Sequence, residues 1–255
     1  MGLSLKKLRF TIPWGQLAAK AWGPTEGRPV LCLHGWLDNA NTFDRPIPLL
    51  PNDHHFVALD FSGHGLSSHM PEGVRYQNND YVTDIHRDVI QTHLKKAINC
   101  YSHFEGVSAG KIYSPEGALQ RLLEANDSLT LESGKLLLQR GTKTVEGGVV
   151  FSRDIRVTVF NPVPLSTEQC ILMLSKIQAD VHIIMANNGH TSDMLREFYT
   201  DVGQALLKGY KGNLKEHCQV TVVDGNHFVH LNEPEKVASI VSDFLHSRSY
   251  RQCNL

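Results

Sequence analysis

The chain lacks an excess of charge of either sign, with 25 Lys and Arg against 26 Asp and Glu and a formal net charge of -1. No basic face broad enough to hold a phosphate backbone follows from that balance, so nucleic acid is not expected as a partner. Cysteine is scarce and unpatterned: Cys32, Cys100, Cys170, Cys218 and Cys253 are odd in number and form no C-x-x-C pair. Neither a disulfide framework nor a zinc site fits them, and a reducing compartment does. No run approaches the ~20 apolar residues that a membrane span needs. The first ten residues mix Lys6, Lys7 and Arg9 into their few apolar positions, which argues against a secretory signal, and Lys6 stands where a myristoylation motif has Ser or Thr. A cytoplasmic protein is expected. The ending Cys253-Asn254-Leu255 has the Leu of a peroxisomal tripeptide without its basic middle residue, so a peroxisomal or vesicle-associated address has little support. The 14 histidines include no H-x-H or H-E-x-x-H, so His54, His55, His182, His190 and His217 offer no converging ligands, and neither metal nor cofactor is expected.

What is present is an ordinary globular composition, 41% apolar, arranged as short apolar runs between glycine turns. Leu8 to Ile12 and Gln16 to Trp22 read as a hairpin joined at Pro13-Trp14-Gly15. Val30 to Leu33 and Phe56 to Leu59 are continuous apolar runs, expected to be central parallel strands buried on both faces. Pro46 and Pro48 keep any helix between them short. Tyr81 to Ile98 carries a helical stripe. From residue 99 to 179 the character changes to helices around Ala118-Leu119-Leu122-Leu123 and Leu136-Leu137-Leu138, then a weakly alternating stretch from Val149 to Phe160. Sheet character returns at Val181 to Ala186 and Gln219 to Val223, and Pro234 opens a last helix. The pattern predicts core segments at 1–98 and 180–255 with a helical lid inserted at 99–179.

Three stretches follow strand ends, where an open α/β sheet presents reacting groups. They are His34-Gly35-Trp36-Leu37-Asp38, Asp60-Phe61-Ser62-Gly63-His64-Gly65, and Gly225-Asn226-His227-Phe228 ahead of Asn232-Glu233-Pro234. In this order they resemble the α/β-hydrolase superfamily, and the runs Ala118 to Leu123, Leu136 to Gly141 and Ser152-Arg153-Asp154 look most like its vertebrate serine hydrolase-like group. The resemblance implies an α/β fold with a mostly parallel sheet, a lid, and a Ser, Asp, His triad for ester-type acyl hydrolysis. His227 matches the general base and Asp193 the acid that orients it, and the backbone N–H of Trp36 matches an oxyanion donor. His34, His64 and Asp60 read as residues that shape their turns.

The nucleophile departs from the pattern. Gly106-Val107-Ser108-Ala109-Gly110 is the one G-x-S-x-G match, with Ala109 as second oxyanion donor. No apolar strand precedes it, Glu105 stands where a buried strand should end, and Ser114-Pro115 cuts the following helix short. A central strand-helix-strand segment on the order of 40 residues is lacking by the usual length of such units. Its loss should leave Phe56 to Leu59 without a neighbour and expose a sheet edge. No G-x-D-x-G occurs, which disfavours a dehalogenase or epoxide hydrolase. Two readings stay open: a serine hydrolase acting on a small-molecule substrate through Ser108, Asp193 and His227, or a non-catalytic hydrolase-like protein, an inactive shortened form that holds an apolar ligand.

Overall fold

The computed structural model describes residues 5–74, 76, 111–158, 167–189 and 193–247, with 158 and 193–203 described as backbone only. Tyr81 to Ile98, Ser108 and Ala109 lie outside the described residues. The chain divides into two compact units, residues 1–126 with 130–161 and residues 127–129 with 162–255.

In the first unit, β1 (Leu5–Ile12) and β2 (Gly15–Trp22) form the expected hairpin, in register from Leu5 opposite Trp22 to Ile12 opposite Gly15. Gly15 takes φ +147°, and a Cβ there would stand 2.1 Å from Ser68 Oγ, so the turn requires glycine. With β3 (Arg28–Leu33) and β4 (His54–Leu59) the strands follow the order β1-β2-β4-β3. β4 runs antiparallel to β2 and parallel to β3. Leu17, Ala19, Ile12 and Leu59 make the core of one face. On the other face of β2, Lys20 is buried against Asn41 and Asp44.

Two expectations are corrected. β4 is not left alone, because β2 and β3 flank it and Phe56 and Ala58 are fully buried. β3 lies at one edge of this sheet among the described residues, with β1 at the other, and its Leu31 and Leu33 are 50% and 41% exposed rather than buried on both faces. Sequence order places β3 before β4, but the crossover puts β4 inside.

Two short 3-10 turns, Ala40–Phe43 and Ile47–Leu49, fill the proline-broken connection. α1 (Pro115–Glu124) starts at an N-cap, Ser114 Oγ, which accepts from Gly117 N–H at 3.0 Å. α2 (Leu131–Gly141) is capped in the same way by Thr130, and Gly134 lets Leu119 and Leu123 of α1 approach to where its Cβ would meet them at 3.1 Å. A small hairpin, β5 (Thr142–Val145) with β6 (Gly148–Phe151), continues from α2, so the partner of the Val149 strand lies upstream of it.

The second unit contains α3 (Thr167–Leu174), β7 (Val181–Asn188), α4 (Asp193–Leu214) and β8 (Cys218–Asn226). A helical turn, α5 (Val229–Asn232), and α6 (Glu235–Ser247) complete it. β7 and β8 pair in parallel, and Val223, Val229 and Val237 form their core with Ile184, Ala186 and Ile240 against it. The structure is thus a mixed α/β fold whose parallel pairings are β3 with β4 and β7 with β8. No described helix is long and apolar enough to cross a membrane.

Candidate functional site

The turns that leave β3 and β4 hold each other. His34 donates from Nδ1 to the Gly35 carbonyl at 2.7 Å and accepts at Nε2 from Phe61 N–H at 3.1 Å. His64 donates from Nδ1 to the Ser62 carbonyl at 3.2 Å and accepts at Nε2 from Leu37 N–H, also at 3.2 Å. A carbonyl can only accept and a backbone N–H can only donate, so both rings are fixed as the neutral Nδ1–H tautomer. Each ring thereby braces the other's turn, with centroids 5.1 Å apart. Burial lowers the pKa of His34 and pushes that of His64 down to about 4, the nearby His34 adding to the latter. Neither ring has a nitrogen left for proton transfer.

Asp60 is the post on which the second turn is built. Its Oδ1 accepts from Ala40 N–H at 2.8 Å, and its Oδ2 accepts from Leu66 N–H at 2.9 Å and from Arg140 Nε and Nη2 at 3.0 and 2.5 Å. Gly65, at φ +52°, passes so close that a Cβ would lie 2.3 Å from the Asp60 Cγ. The spacing D-x-x-x-x-G therefore records one contact, carboxylate against bare backbone.

The first turn presents Trp36 outward, 60% exposed, with its indole N–H donating to the Val157 carbonyl at 2.7 Å. Among the described residues the backbone N–H groups of Gly35 and Trp36 meet no acceptor, and Leu37 beside them is held at φ +64°. Two donors side by side on a strained turn can receive a developing negative charge. Next to them opens a small cleft of about 30 Å³, lined by Leu37, Asp38, Leu122, Leu138, Phe151 and Arg153 among others. Asp38, which sequence reasoning passed over as part of a turn, has its carboxyl pushed up to about 6 by burial. It still accepts from Asn39 N–H at 2.8 Å.

His227 sits just beyond β8 in the second unit and is exposed. Its loop is shaped by Gly225, where a Cβ would meet Val229 at 2.5 Å, and by Asn226, whose Oδ1 accepts from Phe228 N–H at 3.0 Å. Asn226 and Asn232 both donate to the Ser128 carbonyl, at 2.8 and 2.7 Å. His227 Nδ1 donates to the Gly189 carbonyl at 3.1 Å, which again puts a proton on Nδ1, but here Nε2 has no partner among the described residues. A general base needs such an unengaged nitrogen. Asp193 opens α4 shortly after Gly189, and its carboxylate lies outside the described side chains. His230, the neighbouring histidine, is pushed down to about 4 by burial and by His227. No three His, Cys, Asp or Glu side chains among the described residues could together hold a metal ion.

Residues 28–103 match the α/β hydrolase fold family. The serine hydrolase-like protein 2 of Homo sapiens is 37% identical over 298 aligned positions, covering 94% of this chain and 94% of that protein. The serine hydrolase-like protein of Danio rerio is 33% identical over 303 positions, covering 98% of this chain and 91% of the relative. Both alignments run longer than the 255 residues of the chain, so each relative has dozens of positions with no counterpart here. Among solved structures, a hypothetical protein of Pseudomonas aeruginosa PAO1 superposes with a TM-score of 0.76 at 24% identity, over 94% of this chain and 99% of that one.

Proposed function

The chain belongs to the α/β-hydrolase fold family, and from that premise we propose that it comes from serine hydrolases of the carboxylic-ester type but lacks the strand-helix-strand segment of their nucleophile. It then binds a small-molecule substrate or apolar ligand without turning it over. In this reading residues 99–179 are a lid inserted between core segments 1–98 and 180–255, and the protein is cytoplasmic.

One observation carries the reading, the contrast between the outer strands. β1 is an edge by composition, with Lys6, Lys7 and Arg9 among its eight residues, as strands do that must not pair further. β3 ends in Val30-Leu31-Cys32-Leu33 and β7 in the first unbroken stretch Val181-His182-Ile183-Ile184-Met185, both without such charges. Each pairs with one strand only among the described residues, and Leu31, Leu33, Met185 and Val222 stand exposed. These are strands written for an interior. The surplus positions in the relatives support the same reading.

Hydrolysis by this chain is the second reading, favoured by the Nε2 of His227, which has no partner among the described residues. Ser108 would attack the acyl carbon, His227 would take its proton and return it to the leaving alcohol, and water deprotonated by the same ring would then release the acid and restore Ser108, with Asp193 orienting the ring and the Trp36 and Ala109 N–H groups receiving the oxyanion. A fluorophosphonate probe followed by intact-mass and peptide mapping separates the two, since it labels only base-activated serines. The first reading expects no adduct beside a reactive control hydrolase; an adduct on Ser108 would overturn it and establish an activated nucleophile.

A further inference from the structure

The two strands of the second unit leave their pairing one residue out of step, and the step falls just before His227. From Val181 to Ala186 the residues of β7 face β8 one for one, ending with Ala186 opposite Val223, and the next pair is Asn188 opposite Asn226. β7 therefore has one residue, Asn187, where β8 has two, Asp224 and Gly225. Such a bulge bends its strand and re-aims the side chains beyond it. Asn187 closes the bulge: its Oδ1 accepts from Gly225 N–H at 3.0 Å, and its Nδ2 donates to Asp224 Oδ1 at 3.0 Å. A backbone N–H can only donate and a carboxylate can only accept, so these partners set which way the amide points. The other Asp224 oxygen faces Lys236 of α6 at 3.6 Å.

Shortly beyond Asn187, the Gly189 carbonyl takes the Nδ1–H of His227 at 3.1 Å, while the Gly189 N–H donates back to the Ala186 carbonyl at 3.2 Å. We propose that Asn187 is a positioning residue for His227: by closing the bulge it fixes the ring against the Gly189 carbonyl and so holds the neutral imidazole in its Nδ1–H form. An asparagine supplies both the acceptor for Gly225 and the donor for Asp224 on one short side chain. Aspartate at this position would face Asp224 as a like charge, and alanine would take both partners away. A carbonyl decides which nitrogen carries the proton, but unlike a carboxylate it brings no full negative charge to the imidazolium that proton transfer creates. Only the place of His227 as the base is taken from the second reading; the orientation of its ring needs no turnover.

Long-range proton–nitrogen correlation spectra of the full chain with labelled histidine, taken near pH ~9 where an ordinary histidine is neutral, read the tautomer of each ring. His227→Ala identifies the His227 signals, which in the parent should be those of the Nδ1–H form. Asn187→Ala should lower the ratio of Nδ1–H to Nε2–H at His227 about fivefold, the effect of one lost hydrogen bond, with the melting temperature within about 2 °C of the parent's. His34 and His64 hold the same tautomer in the first unit and should not move, which separates a local effect from a general loosening. Asp193→Ala should leave the His227 ratio within about twofold of the parent's. Asn187→Asp combined with Asp224→Asn exchanges donor and acceptor and should restore the parent ratio. A parent ring in the Nε2–H form, an unchanged ratio in Asn187→Ala, a comparable fall in Asp193→Ala, or no recovery in the double variant would each overturn the proposal. The parent tautomer and the Asp193→Ala comparison decide the matter even if Asn187→Ala fails to fold. Probe labelling reports on Ser108 and the tautomer on His227, so either can fail alone.

Discussion

His34 and His64 in the first unit and His227 in the second are the same side chain in opposite situations. All three carry the proton on Nδ1, fixed by a backbone carbonyl. The first two spend Nε2 on backbone N–H groups and are buried; the third is exposed, and its Nε2 has no partner among the described residues. The tautomer alone does not mark a general base, because a structural histidine has the same one. What distinguishes the two is whether the second nitrogen is already used.

Asp60→Ala should break this comparison most severely, since it removes the post of the braced turn and strands Arg140 in the interior. A loss of about 3–5 kcal/mol is expected, read by urea denaturation, with failure to fold as its extreme form. Replacing Asp60 and Arg140 together by apolar residues should cost less than Asp60→Ala alone.

Acid should act on the braced pair next. The His64 pKa is lowered from 6.5 to about 4, so the unfolded chain takes up the proton first, and stability is lost as pH falls from about 6.5 to about 4. The loss is about 3 kcal/mol. Asp38 runs the other way, because its pKa is raised from 3.8 to about 6 and stability falls as pH rises through that window. Asp38→Asn should therefore steepen the loss between pH ~6 and ~4 by about 2–3 kcal/mol, measured as the difference between denaturation curves of the variant and its parent. A variant profile parallel to the parent's would show that Asp38 is not desolvated in the folded chain.

Gly65→Ala should cost about 2 kcal/mol or more, from a left-handed backbone and a Cβ with no room beside Asp60, visible as a lower melting temperature. His227→Ala should come last, within about 0.5 kcal/mol of the parent in the same assay, since an exposed side chain with one hydrogen bond carries little of the fold. A drop as large as that of Gly65→Ala would remove the distinction between the two kinds of histidine.

The local elements were legible because they rest on local rules. The β1–β2 hairpin follows from alternation and a tight turn, α1 from Ser114-Pro115, and the short 3-10 turns from Pro46 and Pro48. That His227 follows a strand end was legible from its motif, and Gly225 and Asn226 explain why that motif has its form. The rank of β3 in the sheet was not, because an apolar run tells that a strand prefers burial and not which neighbours it has. Asp38 and Arg153 were passed over for a similar reason. A carboxyl reads as turn chemistry and an Arg-Asp dipeptide reads as a pair until the chain shows that Asp154 belongs to Arg156.

The sequence by itself determined the strands, the capped helices, the glycines of the turns and the histidine at the end of β8, since each depends on residues a few positions apart. Only the tertiary structure decided that His34 and His64 brace one another's turns, that Asp60 is held by Arg140 eighty positions away, and that Arg156 takes Asp154 while Arg153 lies over the Phe151 ring. Charge pairing across such separations is settled by which groups the packed chain removes from water together, and periodicity along the chain carries no record of that.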